Sequence, residues 1–354
     1  MCDSQRPHAS VANGMKWRTL GRLGRRRGAA AYDSPAIDAP SASAADIAPR
    51  QPLRWSDRDD PPVWFETQHP EQRIDALVEA WQPKLPDDDV RSLASHWLED
   101  GYVIVDDCYP LDDIDAFAAE VDAAWFAPEP YPDLFVSDVD DGTTTHVHLA
   151  HRDLIAMPVE QRVAAMQRSN WRIGEFNKHN AAAERIFRNE RMRMLCSMLL
   201  GTEALPHYSL TFSKGSRQGL HQDTCVFHVW PKNALVGVWI ALEDVAPDSG
   251  PLVYCPGSHR EPLFSEFDNY PQTQRRTSPA ATSVRYDAYV TELGNDYPKE
   301  YFLAKRGQAL LWHGMLIHGG APDVAAGTTR KSFVVHYMPE GANVAHEIVG
   351  PFNW

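Results

Sequence analysis

The stretch GLHQDTCVFH, Gly219 to His228, places His221 and Asp223 two residues apart just before an apolar, β-branched run. Side chains at positions i and i+2 of an extended strand project to the same face. An imidazole and a carboxylate that face one point supply two of the three protein ligands of a non-haem Fe(II) site, which needs a second histidine. The stretch therefore predicts a β-rich fold that carries a metal site.

Four later histidines are candidates for the second imidazole. His228 lies seven residues after His221, so a regular strand would send it to the opposite face. His336, inside RKSFVVHYM, is typical of an ordinary strand residue. His313 and His318 both lie in LLWHGMLIHGG, and we prefer His318 because the two glycines that follow it allow a close approach to a metal.

An arginine follows this histidine at a suggestive distance. Arg330 lies twelve positions after His318, at the start of RKSFVVHYM. Its planar guanidinium matches a carboxylate bidentately, which would hold the far end of a dicarboxylate cosubstrate while the near end chelates the metal. Taken alone, an ordinary surface ion pair would explain this arginine equally well.

The back half of the chain predicts an antiparallel sandwich or barrel. From residue 207 onward, short β-rich pieces are separated by Gly, Pro and Asp: YSLTF, TCVFHVW, ALVGVWIALEDV, PLVYCPG, QALLWHG and RKSFVVHYM. The polar and aromatic segment 260–300 has no clear period and is interpreted as an insertion or lid.

The front half predicts helices. Apolar spacing and capping residues indicate helices over 74–81 and 90–98, a strand over 102–109, a helix from about Asp112, some helix near 158–168 and a helix from Asn180 to Gly201. Residues 1–60 are rich in Ala, Ser, Pro, Asp and Arg and are predicted to form a disordered tail, which leaves 61–354 as one domain.

Composition excludes several classes of protein. The 354-residue chain has a formal net charge of −14, which argues against nucleic acid as the main partner. It contains no apolar run of the roughly 18 residues that a membrane span needs. Its five cysteines are scattered without CxxC spacing, which favours a reducing, cytoplasmic setting.

A rival metal motif lies in THVHLAHRD, which contains His146, His148 and His151. The HxH pair could bind metal on a strand, but its polar neighbours favour a loop near the mouth of the site. In that case His148 or His151 would be a candidate for substrate contact.

In combination, these motifs resemble the phytanoyl-CoA dioxygenase family of Fe(II)/2-oxoglutarate oxygenases. The resemblance covers roughly residues 90–340 and is carried by GLHQDTCVFH, VWIALEDVAPDSGPLVYCPGSHR, GQALLWHGMLIHGGAPD and TTRKSFVVHY. It implies an α+β, mainly β fold: a double-stranded β-helix (jelly-roll, cupin-like) core at about 205–340 with flanking N-terminal helices.

The resemblance also implies roles for individual residues. His221, Asp223 and His318 match the iron ligands, and no further catalytic residue is implied. Arg330 matches the arginine that grips the C5 carboxylate of 2-oxoglutarate. Trp239 matches a tryptophan that lines the cosubstrate pocket in some members, although core packing would explain it as well.

One position departs from the family pattern. Members often carry a serine two residues after the distal histidine, where its hydroxyl helps to hold the cosubstrate, and this chain has Gly320 there. Tyr208, Ser209 or Thr211 on the preceding strand could replace that hydroxyl, or the contact is absent.

The implied activity is hydroxylation or desaturation of a small-molecule substrate, using O2 and 2-oxoglutarate and releasing succinate and CO2. Because Asp223 is present, halogenation is disfavoured. Two alternatives stay open: a jelly-roll metal-binding protein without catalysis, and a metal oxygenase that does not use 2-oxoglutarate. The sequence leaves the substrate and the oligomeric state unknown.

Overall fold

The computed structural model describes residues 62–142, 147–267, 270, 275, 278–346 and 350–351. The tail predicted to be disordered, residues 1–60, and His146 of the rival motif lie outside the described residues. Within the described ranges, no helix has the length and apolar character needed to cross a bilayer.

The described chain alternates helices and short strands in its front half and is mainly β in its back half. The helices are α1 Ile74–Trp81, α2 Val90–Asp100, α3 Leu111–Glu120, α4 His151–Ala156, α5 Val159–Arg168, α6 Ala181–Phe187, α7 Glu190–Leu200 and α8 Ala280–Leu293. The strands are β1 Tyr102–Val105, β2 Phe135–Val139, β3 Val147–Ala150, β4 Arg172–Gly174, β5 Ala204–Phe212, β6 Phe227–Trp230, β7 Val236–Ala241, β8 Leu252–Tyr254, β9 Glu300–Phe302, β10 Ala309–His313, β11 His318–Gly320, β12 Ser332–Pro339, β13 Asn343–His346 and β14 Gly350–Pro351.

Helix α2 shows why its sequence is helical at these residues. Asp89 precedes it, and its side chain accepts a hydrogen bond from the backbone N–H of Ser92 at 2.9 Å. Gly101 ends it in the left-handed conformation, φ 77°, which a residue without a Cβ adopts at no steric cost. The helices predicted over 74–81, 90–98 and near 158–168 are confirmed.

Three of the predicted elements are shorter than expected. The helix expected from Asn180 to Gly201 is two helices, because Asn189 interrupts it and caps α7 by accepting from the N–H of Met192 at 2.8 Å. The strand expected over 102–109 ends at Val105. The apolar spacing of Ile114, Phe117, Val121 and Trp125 predicts one helix through Trp125, but α3 ends at Glu120 and Trp125 lies in the 3-10 helix that follows.

The strands form a jelly roll, as the resemblance implied. An eight-stranded antiparallel sheet has the order β1-β10-β7-β12-β5-β4-β2-β3, and two three-stranded sheets have the orders β11-β8-β9 and β14-β13-β6. The large sheet is open and does not close into a barrel.

The two faces of the large sheet have different partners. Register pairs Trp239 with both Leu310 and Val334, and these side chains pack against Tyr254 and Phe302 of the facing sheet. The alternate residues, such as Val238, join the larger apolar core formed with the helices. We call the first face the inner face and the second the helix face.

The described residues of the insertion at 260–300 include a helix that its sequence did not indicate. It contains α8, whose buried residues Thr282, Tyr286 and Val290 are spaced four apart and form a narrow stripe. This stripe packs against Cys225 and Ile317, beside the metal motif. The insertion therefore forms part of the support of the site.

Candidate metal centre

The structure brings His221, Asp223 and His318 together. One ligand atom from each lies within 4.8 Å of the other two, and no other group of three such residues in the described part of the chain meets this geometry. The two histidines also exchange backbone hydrogen bonds, from the N–H of His221 to the carbonyl of His318 at 2.9 Å and back at 3.0 Å. Backbone pairing thus holds two segments that are distant in sequence side by side.

The local structure differs from the regular strand on which the prediction was based. Asp223 begins a short 3-10 helix, Asp223–Cys225, directly after the bridge at His221. Gln222 between them is extended (φ −122°, ψ 130°), which preserves the common direction of its two neighbours. The parity argument against His228 does not apply, because the 3-10 helix interrupts the strand, yet His228 lies outside the three-residue cluster.

Backbone carbonyls orient both imidazoles. Nδ1 of His221 lies 2.9 Å from the carbonyl oxygen of Gly219, and Nδ1 of His318 lies 2.9 Å from that of Leu316. The geometry assigns the proton to Nδ1 in each ring, so that Nε2 is the unprotonated nitrogen; a metal bound to His221 would displace the amide nitrogen of Gln218, which lies 3.2 Å from that Nε2. The two Nε2 atoms lie 3.7 and 3.8 Å from Oδ1 of Asp223.

Two side chains that were not predicted to contact Asp223 hold the other oxygen of its carboxylate. Oδ2 of Asp223 accepts a hydrogen bond from Nε1 of Trp312 at 2.8 Å and lies 3.2 Å from Nε2 of His336. Oδ1 is thereby directed at the two imidazoles. His336, predicted to be an ordinary strand residue, is instead a partner of the candidate ligand.

The register of the strands shows that Trp312 and His336, the partners of Asp223, lie on the same face of the sheet. Gly237 pairs with both Trp312 and His336, so the three residues form one row across the inner face. A Cβ at Gly237 would lie 2.2 Å from the Trp312 ring, so only glycine leaves room for that ring beside the carboxylate.

The protonation states suit metal binding. Burial lowers the pKa of His221 to about 3. Burial alone would raise the pKa of Asp223, but His318, His336 and His221 outweigh it and hold that pKa below its usual range. A neutral imidazole and an ionised carboxylate are the forms that coordinate a divalent ion.

We expect Trp312→Phe to weaken divalent-metal binding by about 10- to 100-fold, because loss of an outer hydrogen-bond partner releases a ligating carboxylate. Calorimetric titration of the metal-free protein with Co(II) measures the effect. Trp171→Phe is the matched control, since Trp171 is also fully buried and its Nε1 has no partner in the described structure. Equal metal affinity of the two variants would contradict a positioning role for Trp312.

The remaining candidate histidines have structural partners. Nδ1 of His313 accepts from the N–H of Met315 at 3.0 Å, and burial lowers its pKa well below the usual value. His151 is buried, with Nδ1 accepting from the N–H of Tyr131 at 2.8 Å and Nε2 lying 2.7 Å from the carbonyl of Ala124. His148 lies on β3. The described residues of the rival motif therefore form no metal cluster.

Arg330 is a buried cation without a carboxylate partner among the described residues. It is 2% exposed, Nη1 donates to the carbonyl of Gly250 at 3.2 Å, and Nε has no partner. Burial lowers the pKa of Arg330 to about 10, an effect that Glu243 only partly offsets. Binding of an anion would stabilise this group, since a buried charge without a counter-ion beside it lowers the stability of the folded protein.

Two further unpartnered donors lie in the same region. The ring of Trp239 is 5.4 Å from Cζ of Arg330, and its Nε1 has no partner among the described residues. Ser332 is fully buried, with an equally unpartnered hydroxyl, two residues after Arg330 on the inner face. Sequence reasoning missed Ser332, although the i, i+2 spacing in RKS would have placed both side chains on one face.

The structure shows which group fills the space beside Gly320, the position where the family pattern has a serine. Register places Gly320 on the same face as His318, and a Cβ there would lie 2.5 Å from Oγ of Ser216. The hydroxyl of Ser216 therefore occupies the space that a side chain at 320 would fill.

Three side chains on β5 were expected to supply the hydroxyl in place of a serine at 320, and two of them face away from the metal position. Tyr208 pairs with His336, whereas Ser209 and Thr211 alternate onto the helix face. Oγ of Ser209 donates to Oδ1 of Asn177 there at 2.5 Å. The expectation that Ser209 or Thr211 supplies the hydroxyl is wrong, because the period of a strand is two.

Comparisons with known proteins identify the family of this chain. The family model of phytanoyl-CoA dioxygenase (PhyH) matches residues 97–332. Phytanoyl-CoA dioxygenase, peroxisomal, of Rattus norvegicus is 31% identical over 125 residues, 35% of this chain and 34% of that protein. Phytanoyl-CoA dioxygenase domain-containing protein 1 of Danio rerio is 28% identical over 38% of this chain and 42% of that protein. The chain thus matches about a third to two-fifths of the length of these relatives.

Solved structures share the fold. The non-heme alpha ketoglutarate dependent carbocyclase SnoK from nogalamycin biosynthesis has a TM-score of 0.52 at 15% identity, covering 73% of this chain and 86% of its own. EctD from S. alaskensis with 2-oxoglutarate and 5-hydroxyectoine has a TM-score of 0.51 at 18% identity, covering 74% and 81%. At these identities the likeness establishes the jelly-roll fold.

Proposed function

This chain belongs to the phytanoyl-CoA dioxygenase family, and from that premise we propose that it is an Fe(II)- and 2-oxoglutarate-dependent oxygenase. The observation that carries the proposal is the pairing of two features on one inner face. Three ligand side chains lie within 4.8 Å of one another, and a buried guanidinium with no carboxylate partner among the described residues lies on the same face.

We assign His221, Asp223 and His318 as the iron ligands. Two imidazoles and one carboxylate leave open positions for a keto acid and for O2. When bound, the iron would couple oxidative decarboxylation of 2-oxoglutarate, which gives succinate and CO2, to oxidation of an organic substrate. Trp312 and His336 hold the carboxylate so that one oxygen faces the metal position.

Arg330 is assigned to the distal carboxylate of 2-oxoglutarate. Its planar donors suit bidentate binding, and Trp239 and Ser332 add donors in the same pocket. Phe212, a member of the buried apolar cluster on the inner face, has its ring 5.7 Å from Cζ of Arg330, and apolar surroundings strengthen an ion pair.

The substrate is proposed to be a small molecule that is hydroxylated or desaturated. Asp223 takes the ligand position that would have to be vacated to admit a halide. We assign the catalytic domain to residues 61–354, with the jelly-roll core at about 205–340. A reducing, cytoplasmic location is part of the proposal; the described cysteines, Cys108, Cys196, Cys225 and Cys255, are buried thiols that form no disulfide among the described residues.

The test of this function is succinate formation by the protein supplied with Fe(II), ascorbate, O2 and 2-oxoglutarate, with and without pooled metabolites. We expect 2-oxoglutarate-dependent succinate. A protein that binds Fe(II) but neither binds nor consumes 2-oxoglutarate would favour the alternatives, a non-catalytic metal protein or an oxygenase that needs no keto acid.

The hydroxyls of Ser332, beside Arg330 in the strand, and of Ser216, beside Gly320, give a finer prediction. We expect Ser332→Ala and Ser216→Ala each to raise the dissociation constant of 2-oxoglutarate by about tenfold, the effect of losing one hydrogen bond to a charged group. Thr328→Ala is the control, because the hydroxyl of Thr328 bonds the carbonyl of Ala325. Calorimetric titration measures all three variants, and wild-type affinity in either serine variant would remove that hydroxyl from the pocket.

A further inference from the structure

A tyrosine of the insertion holds the segment that carries the first two candidate ligands. Gln222 lies between His221 and Asp223, and its backbone N–H donates to the hydroxyl of Tyr286 at 3.1 Å. Successive N–H groups of an extended segment point to opposite edges, so this bond lies on the edge away from His318, with which His221 pairs. The fully buried Tyr286 of α8 thus completes the backbone hydrogen bonds of this segment.

A serine next to the insertion holds the segment of the third ligand in the same way. Ile317 directly precedes His318, and its N–H donates to the hydroxyl of Ser258 at 2.9 Å. Ser258 is fully buried and begins the 3-10 helix Ser258–Arg260, which leads into the insertion. The carbonyl of Ile317 accepts from the N–H of Cys255 at 2.9 Å. In both ligand segments, a buried hydroxyl is therefore the acceptor for the N–H next to a ligand.

The side chain of Gln222 joins the two ligand segments. It is fully buried, and its Nε2 donates to the carbonyl of Met315 at 3.0 Å, in the turn between β10 and β11. Ring packing fixes Tyr286 in turn, since the ring centroid of Phe267 lies 5.2 Å from that of Tyr286. A displacement of α8 would therefore act on Gln222 and, through it, on both ligand segments.

These hydrogen bonds would align the ligands before the metal binds. Without its acceptor, the N–H of Gln222 would be a buried, unsatisfied donor, and rotation of this peptide would relieve that cost. The same rotation would turn His221 and Asp223 apart, because the extended backbone of Gln222 gives them a common direction. The metal would then have to restore the alignment, and the free energy of that step would be lost from its binding.

We propose that Tyr286 and Ser258 are positioning residues of the metal centre, and that metal binding and the docking of α8 stabilise each other. The inference rests on the proposed function, of which it uses only the three metal ligands. Two coupled sites affect each other by the same factor, because they share one coupling free energy. The metal should therefore protect α8 from local opening by the factor by which docked α8 raises the affinity for the metal.

Calorimetric titration of the metal-free protein with Co(II), without 2-oxoglutarate, tests the effect on the metal. We expect Tyr286→Phe and Ser258→Ala each to raise the dissociation constant of Co(II) at least about fivefold, the lower end of typical couplings between two sites. The visible spectrum of bound Co(II) should change in both variants, because it depends on the geometry of the ligands.

Matched controls separate positioning from a general loss of stability. Tyr289→Phe makes the same change on α8, where the hydroxyl of Tyr289 lies 3.5 Å from the carbonyl oxygen of Pro262. Ser197→Ala removes a fully buried hydroxyl that accepts a backbone N–H at 2.9 Å, as that of Ser258 does, but from Ala204. Both controls should keep wild-type Co(II) affinity, whatever their melting temperatures.

Hydrogen exchange tests the reverse effect. In the wild-type protein Co(II) should slow amide exchange in α8, and in Tyr286→Phe this slowing should be at least about fivefold smaller. Co(II) affinity within twofold of wild type in either variant, or an equal loss in Ser197→Ala, would overturn the positioning role. An α8 that exchanges equally fast with and without Co(II) would overturn the coupling. Failure of the wild-type protein to bind Co(II) would instead refute the ligand assignment of the proposed function.

Discussion

Asp223→Ala is expected to reduce 2-oxoglutarate-dependent succinate formation to the background of the metal-free protein. The substitution removes one of three ligands and leaves Nε1 of Trp312 and Nε2 of His336 facing a gap. Metal affinity should fall by more than the roughly 100-fold that loss of an outer hydrogen-bond partner costs. Succinate is measured by chromatography and metal binding by calorimetry.

Asp244→Ala is the matched control, because Asp244 is an exposed aspartate whose side chain pairs with Lys305 at 3.0 Å. It should keep wild-type turnover and metal affinity. Undiminished succinate formation by Asp223→Ala would refute the ligand assignment. Loss of turnover with unchanged metal affinity would show that Asp223 acts without binding the metal.

Arg330→Met is expected to preserve or raise the thermal stability of the protein and to weaken its binding of 2-oxoglutarate. In the absence of 2-oxoglutarate, the melting temperature should stay the same or rise, because the variant replaces a buried charge that is only partly compensated with an apolar side chain. The dissociation constant of 2-oxoglutarate should rise by roughly 30-fold to more than 1,000-fold, the loss of about 2–5 kcal/mol expected for one partner of a buried charge pair.

Thermal melting without 2-oxoglutarate measures the change in stability, and the shift in melting temperature when 2-oxoglutarate is added measures the change in binding. Arg306→Met is the control, since Arg306 forms a surface ion pair with Asp115 and is 41% exposed. Arg330→Lys keeps the charge without the planar fork and should bind 2-oxoglutarate more weakly than wild type. Wild-type affinity and turnover in Arg330→Met would support the alternative of an oxygenase that does not use a keto acid.

Much of the fold was predictable because its signals are local. Apolar spacing predicted α1 and α2, and Asp89 and Gly101 marked the ends of α2. The break between α6 and α7 was missed, although Asn189 is a good N-cap, because the apolar pattern runs through it. Helix α8 was missed because its apolar stripe is narrow, and its packing against the metal motif is a tertiary contact.

The candidate site was predictable where its residue types are distinctive. His221, Asp223 and His318 could be recognised from their chemistry. They are an imidazole, a carboxylate two positions later and a histidine before two glycines. Trp312, His336 and Ser332 were not recognised, because tryptophan, histidine and serine in strands have ordinary roles and their common face appears only with the register. Ser216 could not be connected with Gly320, since that contact joins a loop to a strand about a hundred residues away.

By itself the sequence determined the kinds of groups that the protein offers and their local direction, since side-chain chemistry and the period of a strand are set within a few residues. Only the tertiary structure decided which of the four candidate histidines joins His221 and Asp223 in the ligand cluster, which oxygen of that carboxylate faces the metal position and which buried donors of the described residues are left without acceptors. Those outcomes depend on strand register and sheet pairing across the whole chain, where a shift of one residue would turn every side chain to the other face.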